Sequence, residues 1–368
     1  MARRENSTGA FVLLMVIAIL VPAPGILSAQ GRAGSAPVGA QVGAADESLP
    51  GVVQPWSVSL PSESKLREIG ATVADARTFA RKIQAIADVV TAAPGYNPLP
   101  AGCDITISGA VELVANRTTK KLRRFSGNLL IGCLPFDVAI RNGKKVRDGY
   151  GETLFFIVSV NKPTAIAHGH TLTDEAGSFS TQARRTGDFG GMPVYSRVNE
   201  YYEGAPSELP TIVISRPGQQ LFRPVARERA LKAFIAELEK DQAQHPDVAL
   251  SKQLLASLTP AQRTEAACLY RDNRKCCPTT PEFPGIKERG ITPVGFKECI
   301  PLVLTSVMNN DLPATAVQLI VVSSYEDIVL HGETARKKGE TPAFFYEVTA
   351  KALRQMDWRK LAGMVDQP

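Results

Sequence analysis

The chain has 368 residues, six cysteines and a formal net charge of +6. The charge excess is small for such a length. Nucleic-acid binders concentrate basic residues far more, so nucleic acid is excluded as the expected partner.

The N-terminus carries an address. Arg3 and Arg4 precede an apolar run, Phe11 to Pro22, that is too short to span a bilayer and ends among Pro22, Pro24 and Gly25. Small residues Ser28 and Ala29 come next, so residues 1–29 read as a secretory signal peptide cleaved after Ala29. Glu5-Asn6-Ser7 continues a twin-arginine signal poorly, which favours the general export route. Cleavage takes away two arginines and one glutamate, leaving +5, and no transmembrane span remains. Residues 30–50 are mostly Gly, Ala, Ser and Val without an apolar period, and read as a flexible linker. The chain from residue 51 onward is long enough for two domains, or for one large domain with a satellite.

From Ser62 to Ala92, apolar residues Leu66, Ile69, Val73, Ala76, Phe79, Ile83, Ile86 and Val90 recur at threes and fours, which predicts one amphipathic helix. From Asp104 the period changes to two, through β-branched and aromatic segments ending near Val160. Asn142-Gly143 suits a type I′ hairpin turn. Residues 164–172 and 211–215 read as further strands, giving a mostly antiparallel sheet, sandwich-like if folded on itself. Residues 173–210, rich in Gly, Ser and Arg, read as a long loop of the kind that is often functional.

The second half reads as mainly helical. Pro224 opens a helix to about Gln244, and Thr259-Pro260-Ala261-Gln262 is a capping box for another running to about Tyr270. Residues 276–299 form a Pro/Gly-rich loop, residues 315–323 a core strand, and residues 344–365 a closing helix anchored by Trp358 and Leu361. The expected fold is therefore α+β. It divides into a helix-plus-β domain over 51–222 and a mainly helical part over 223–368, which lends its strand to the sheet of the first.

Six cysteines in an exported chain read as three disulfides. Cys103 and Cys133 form the natural first bridge. Cys276 and Cys277 are adjacent and strained for bonding each other, so each takes one of Cys268 and Cys299, in either arrangement. The four lack C-x-x-C knuckles, which disfavours zinc there.

Phe222-Arg223-Pro224-Val225, Leu258-Thr259-Pro260-Ala261-Gln262-Arg263, Leu312-Pro313-Ala314-Thr315-Ala316-Val317-Gln318-Leu319 and Asp357-Trp358-Arg359-Lys360-Leu361 form a series. Together they resemble a family of exported bacterial proteins, over residues from about 210 onward. The resemblance implies export and fold layout, and brings no catalytic residue.

Several constellations bear on function. His168-Gly169-His170 on a regular strand would present both rings on one face, and with Asp174 or Glu175 could hold zinc or copper for a metal-dependent enzyme. The plainer reading is two histidines at a strand end. A serine hydrolase site from Ser178 or Ser180, His168 and Asp174 has no motif to support it. The run Lys120-Lys121-Leu122-Arg123-Arg124, with Lys144-Lys145 on a nearby hairpin, could meet an anionic envelope surface, or could simply be a charged strand edge. Last, Tyr195, Tyr201 and Tyr202 with Arg184 and Arg185 in the long loop have the composition of a contact surface. The expectation is a periplasmic or secreted non-catalytic binding or structural module with an envelope or protein partner and no cofactor.

Overall fold

The computed structural model describes residues 49–116, 119–150, 154–174, 177–199, 207–242, 246–271, 289–293, 299–304, 308–324 and 343–366. Contacts divide the chain at Val42/Gly43, and everything described belongs to the second unit. The predicted signal peptide and nearly all of the linker, Cys276, Cys277, Tyr201 and Tyr202 lie outside the described residues. Among those residues no helix is long and apolar enough to cross a membrane.

In chain order the elements begin with β1 (Val58–Ser59), α1 (Glu63–Glu68), α2 (Val73–Thr91), β2 (Cys103–Ala115), β3 (Leu122–Arg141), β4 (Lys144–Tyr150) and β5 (Leu154–Val160). A second run is all strand: β6 (Ala167–Asp174), β7 (Gly177–Gln182), β8 (Arg184–Phe189), β9 (Met192–Asn199) and β10 (Ser207–Ser215). Then come β11 (Arg223–Pro224), α3 (Arg227–Gln242), α4 (Pro246–Ser257), α5 (Pro260–Thr264), β12 (Ala267–Arg271), β13 (Arg289–Pro293), β14 (Cys299–Leu304), β15 (Leu319–Ser324), α6 (Ala343–Gln355) and α7 (Trp358–Ala362).

Among the described residues the strands form two sheets. The first runs β1-β2-β3-β5-β15-β10-β9-β8, with β4 on the far half of β3. Its pairs are antiparallel except β1 with β2. The second runs β13-β12-β14-β7-β6, with β11 beside β14. The two halves of the chain interleave. β15 lies between β5 and β10, while β6 and β7 pair into the sheet that carries β12 to β14.

The sequence explains these placements. Leu319 to Val322 of β15 are buried on both faces of the sheet, so this run is apolar without alternation. Ile320 and Val322 join the core beneath the helices, and Leu319 and Val321 the core on the opposite face. The buried stripe of α2 lies on the helix-bearing face, with Phe79 stacked on Phe125 at 5.7 Å. Gly127 of β3 permits this approach, because a Cβ there would lie 2.4 Å from Ile83. α6 and α7 cover the same face through Leu353, Trp358 and Leu361. The second sheet has its own core, in which Phe179, Ala267 and Leu302 meet Leu231 and Phe234 of α3. Among the described residues, each sheet thus has helices packed on one of its faces.

Several expectations are corrected. The helix predicted over 62–92 is two helices, because Gly70 takes a left-handed conformation (φ +73°) and Thr72 caps α2 by accepting from the Asp75 amide. The helix expected to run from 259 to about 270 stops at Thr264, and β12 begins within three residues. Residues 246–257 are helical where no helix was predicted, and the closing helix breaks before the Asp357 cap of α7. The predicted long loop over 173–210 is largely the antiparallel strands β7 to β10. Its Gly and polar residues hid the strand period. β8 is an edge strand with little apolar burial to display one.

Cys103 and Cys133 are bonded, with Cα atoms 5.7 Å apart, and staple β2 to β3. Cys103 is opposite Pro135, so the bonded cysteines sit two residues out of register. Cys268 is opposite Pro301, so Cys268 and Cys299 stand in that same relation on β12 and β14.

Candidate functional site

The chain leaves the second sheet at Gln182 and enters the first at Arg184, separated by the buried Ala183. Beside this crossing lies a cleft of about 820 Å³. The first sheet contributes Arg185, Met192, Tyr195 and Val213, the second Gln182, Pro301 and Val303, and the turn after β10 supplies Arg216 to Phe222. Period-two pairing puts Arg185, Tyr195, Thr211 and Val213 on one face, since Arg185 is opposite Tyr195 and Tyr195 opposite Thr211.

The Tyr195 ring meets Phe222 edge to face at 5.4 Å. Burial raises its hydroxyl pKa, opposed by the nearby Arg185 charge. Arg185 donates to Asp188 at 2.6 Å and is exposed at the rim. The amide of Arg216 donates to the Gln219 side chain, while the buried Arg216 Nε has no hydrogen-bond partner. Among the described residues lining the cleft there is no carboxylate, imidazole or thiol. The cleft can therefore hold an apolar body and orient a polar or anionic end.

A smaller cavity of about 510 Å³ adjoins it and shares Arg216, Gln219 and Gln220. Arg123, Arg223, Met308, Asn309, Asn310 and Asp311 complete its lining. Arg123 donates from Nε to Asn310 Oδ1 at 2.8 Å. The Asn309 amide donates to Gln318 Oε1 at 2.7 Å, and Gln318 Nε2 donates back to the Asn309 carbonyl at 2.9 Å.

The predicted site residues fare differently. Tyr195 and Arg185 meet at the cleft. Arg184 is opposite Ser196 and falls on the other face of β8. His168 and His170 lie on β6, where the register shifts between His168 and Thr171. That irregularity removes the regular alternation on which the shared-face argument rested. Asp174, considered as a third ligand, is held by a bidentate pair with Arg229 at 2.5 and 2.9 Å. The Arg229 guanidinium also lies 5.5 Å over the Phe179 ring. No group of three potential metal ligands occurs among the described residues.

The basic run is also divided. Lys120 and Lys121 are exposed, but Arg124 is only 8% exposed. Lys144 and Lys145 pair with Arg141 and Ile140 at the far end of β3. Twenty residues at about 3.3 Å each separate the two ends of this strand by roughly 60 Å of path. The predicted single patch does not form.

Sequence reasoning missed the roles of Arg216, Leu221 and Phe222. Apart from Phe222, which opens the Phe222-Arg223-Pro224-Val225 motif, nothing in the sequence marks the turn after β10, and only the fold brings it against Tyr195. No protein-family model, curated protein or solved structure matches this chain.

Proposed function

We propose that this is an exported, non-catalytic binding protein whose ligand occupies the cleft between the two sheets. The observation that carries this reading is the cleft itself. It combines an apolar wall of Met192, Tyr195, Val213, Leu221 and Phe222 with the guanidiniums of Arg185 and Arg216, the composition of a small-molecule site. The thiol chemistry agrees with export: a bonded Cys103–Cys133 pair suits an oxidising compartment, and the N-terminal run suits a cleaved leader. In this reading the second-half cysteines are also oxidised.

The test of the cleft is a thermal-shift screen of small amphiphilic and aromatic anions on the mature chain. At least one class should stabilise the protein, and Leu221→Arg, which fills the cleft with a charged side chain, should abolish that response. A response untouched by Leu221→Arg removes the cleft reading. N-terminal sequencing of the exported product should begin at Gln30; an intact Met1 removes the export reading.

A further inference from the structure

We propose that the cavity lined by Arg123, Arg216 and Arg223 is a binding site for a phosphate monoester, with the ester's organic part lying in the adjoining cleft. The phosphate site stands on its own observations; only the placement of the organic part rests on the binding-protein reading above.

The charge is unbalanced where it is hardest to leave so. Three arginines line the cavity against one carboxylate, Asp311, among the described lining residues. Arg223 is exposed on the two-residue β11 and makes no ion pair among those residues. Arg124, next to Arg123, is more than nine-tenths buried, and its Nε and Nη1 have no partner. Arg216 Nε is buried and unpartnered as well. A buried guanidinium nitrogen without an acceptor is unfavourable, so Arg216 Nε in the cavity lining, with the buried and unpartnered Arg124 adjoining the lining residue Arg123, marks a place for an anion.

The backbone builds this arrangement. β3 pairs Ala115 with Leu122 and Val114 with Arg124, leaving Arg123 as the extra residue of a β-bulge. A bulge interrupts alternation and re-aims a side chain, here Arg123 toward the cavity, and it leaves the charges of Arg123 and Arg124 close together. Their closeness is registered electrostatically. Burial first, and the Arg123 charge second, bring the Arg124 pKa down to about 10. The opposite wall is pre-formed, since Gln318 brackets the backbone of Asn309 and the Asp311 amide donates to Asn309 Oδ1.

The number of donors selects the ligand class. One guanidinium fork satisfies a carboxylate with two parallel bonds. Three forks, with the Asn and Gln amides beside them, call for more acceptor lone pairs and a double negative charge, which a phosphate monoester supplies. Shared lining by Arg216, Gln219 and Gln220 joins the phosphate position to the aromatic wall of Tyr195 and Phe222.

The experiment is isothermal titration calorimetry on the mature full chain with inorganic phosphate, then with phenyl phosphate. Inorganic phosphate should bind, with affinity falling as sodium chloride is added. Arg123→Gln and Arg223→Gln should each weaken it about tenfold, the loss of one charged hydrogen-bonding partner. Arg141→Gln, which removes the same charge at the far hairpin, should not. Arg223→Gln serves alone if Arg123→Gln fails to fold, because Arg223 is exposed. Phenyl phosphate should bind more tightly than phosphate, and Tyr195→Ala should remove the difference. Absence of phosphate binding, or equal weakening by Arg141→Gln, overturns the site. Phosphate binding without a phenyl gain leaves the site standing and removes the cleft reading. Sedimentation with phosphatidylcholine vesicles containing phosphatidic acid, but not without it, would place the phosphate on a lipid. Binding of phenyl phosphate without sedimentation would place it on a soluble ester.

Discussion

Asn161 and Arg124 are both buried polar side chains set against the same stretch of β3, yet one is closed and the other open. Asn161, fully buried just after β5, donates from Nδ2 to the carbonyls of Phe125 and Ala316 and accepts through Oδ1 from the amides of Gln318 and Leu319. Every hydrogen-bonding position of its amide group is used, and the result ties β5, β3 and the entry to β15 together. Arg124, the neighbour of Phe125, leaves two guanidinium nitrogens without partners beside another arginine. A saturated buried cluster specifies a fold; an unsaturated charged one has a deficit that a ligand can fill.

The largest expected effect breaks the closed cluster. Asn161→Ala strips partners from four buried backbone groups and leaves a left-handed residue (φ +55°) without its asparagine. Chemical denaturation should show a loss of about 3–4 kcal/mol, and the melting temperature should fall by roughly 10 °C.

Arg124→Met should act with the opposite sign. Replacing a buried, unpartnered charge by an apolar side chain of similar length should stabilise the ligand-free chain by about 1–2 kcal/mol. Burial lowers the folded pKa of Arg124 to about 10, well below the ordinary arginine value, so the unfolded chain holds more protons across that interval. The contribution of this group to stability therefore rises with pH there, and its penalty is complete below the folded value. The stability gap between Arg124→Met and the parent should stay level up to about pH 9 and shrink as pH is raised through about 10. A gap constant with pH would mean that Arg124 carries no such penalty.

Gln318→Leu tests the link between the clusters, because Gln318 donates its backbone amide to Asn161 and braces Asn309 with its side chain. Asn309 is half-buried and water can replace the lost amide, so a destabilisation of about 1 kcal/mol is expected in urea unfolding. Smallest of all, Arg223→Gln should change the stability of the free chain by no more than about 0.5 kcal/mol, as for an exposed side chain. A larger change in the same assay would show that Arg223 is structural.

Parts of this contrast were readable from the residues alone. The Phe79–Ile83–Ile86–Val90 stripe announces a helix on a core because apolar burial repeats with the helical period. The apolar run from Thr315 announces a core strand, and Cys103 and Cys133, thirty residues apart, announce a staple. Tyr195 and Arg185 stood out because large amphipathic and guanidinium side chains suit contact surfaces.

The rest depends on neighbours that are distant in sequence. β7 to β9 carry too many Gly, Ser and Arg residues to display an alternating pattern, and they become strands through pairing with β10 and β14. Lys120 to Arg124 looks like one basic surface in linear order. The bulge at Arg123, the burial of Arg124 and the length of β3 turn it inward and separate it from Lys144 and Lys145. Composition and periodicity determine which segments must be buried, because the hydrophobic effect acts residue by residue. Which polar groups are left without partners, and around which cavity, is decided only by tertiary packing, because a hydrogen bond needs two groups that the chain order keeps far apart.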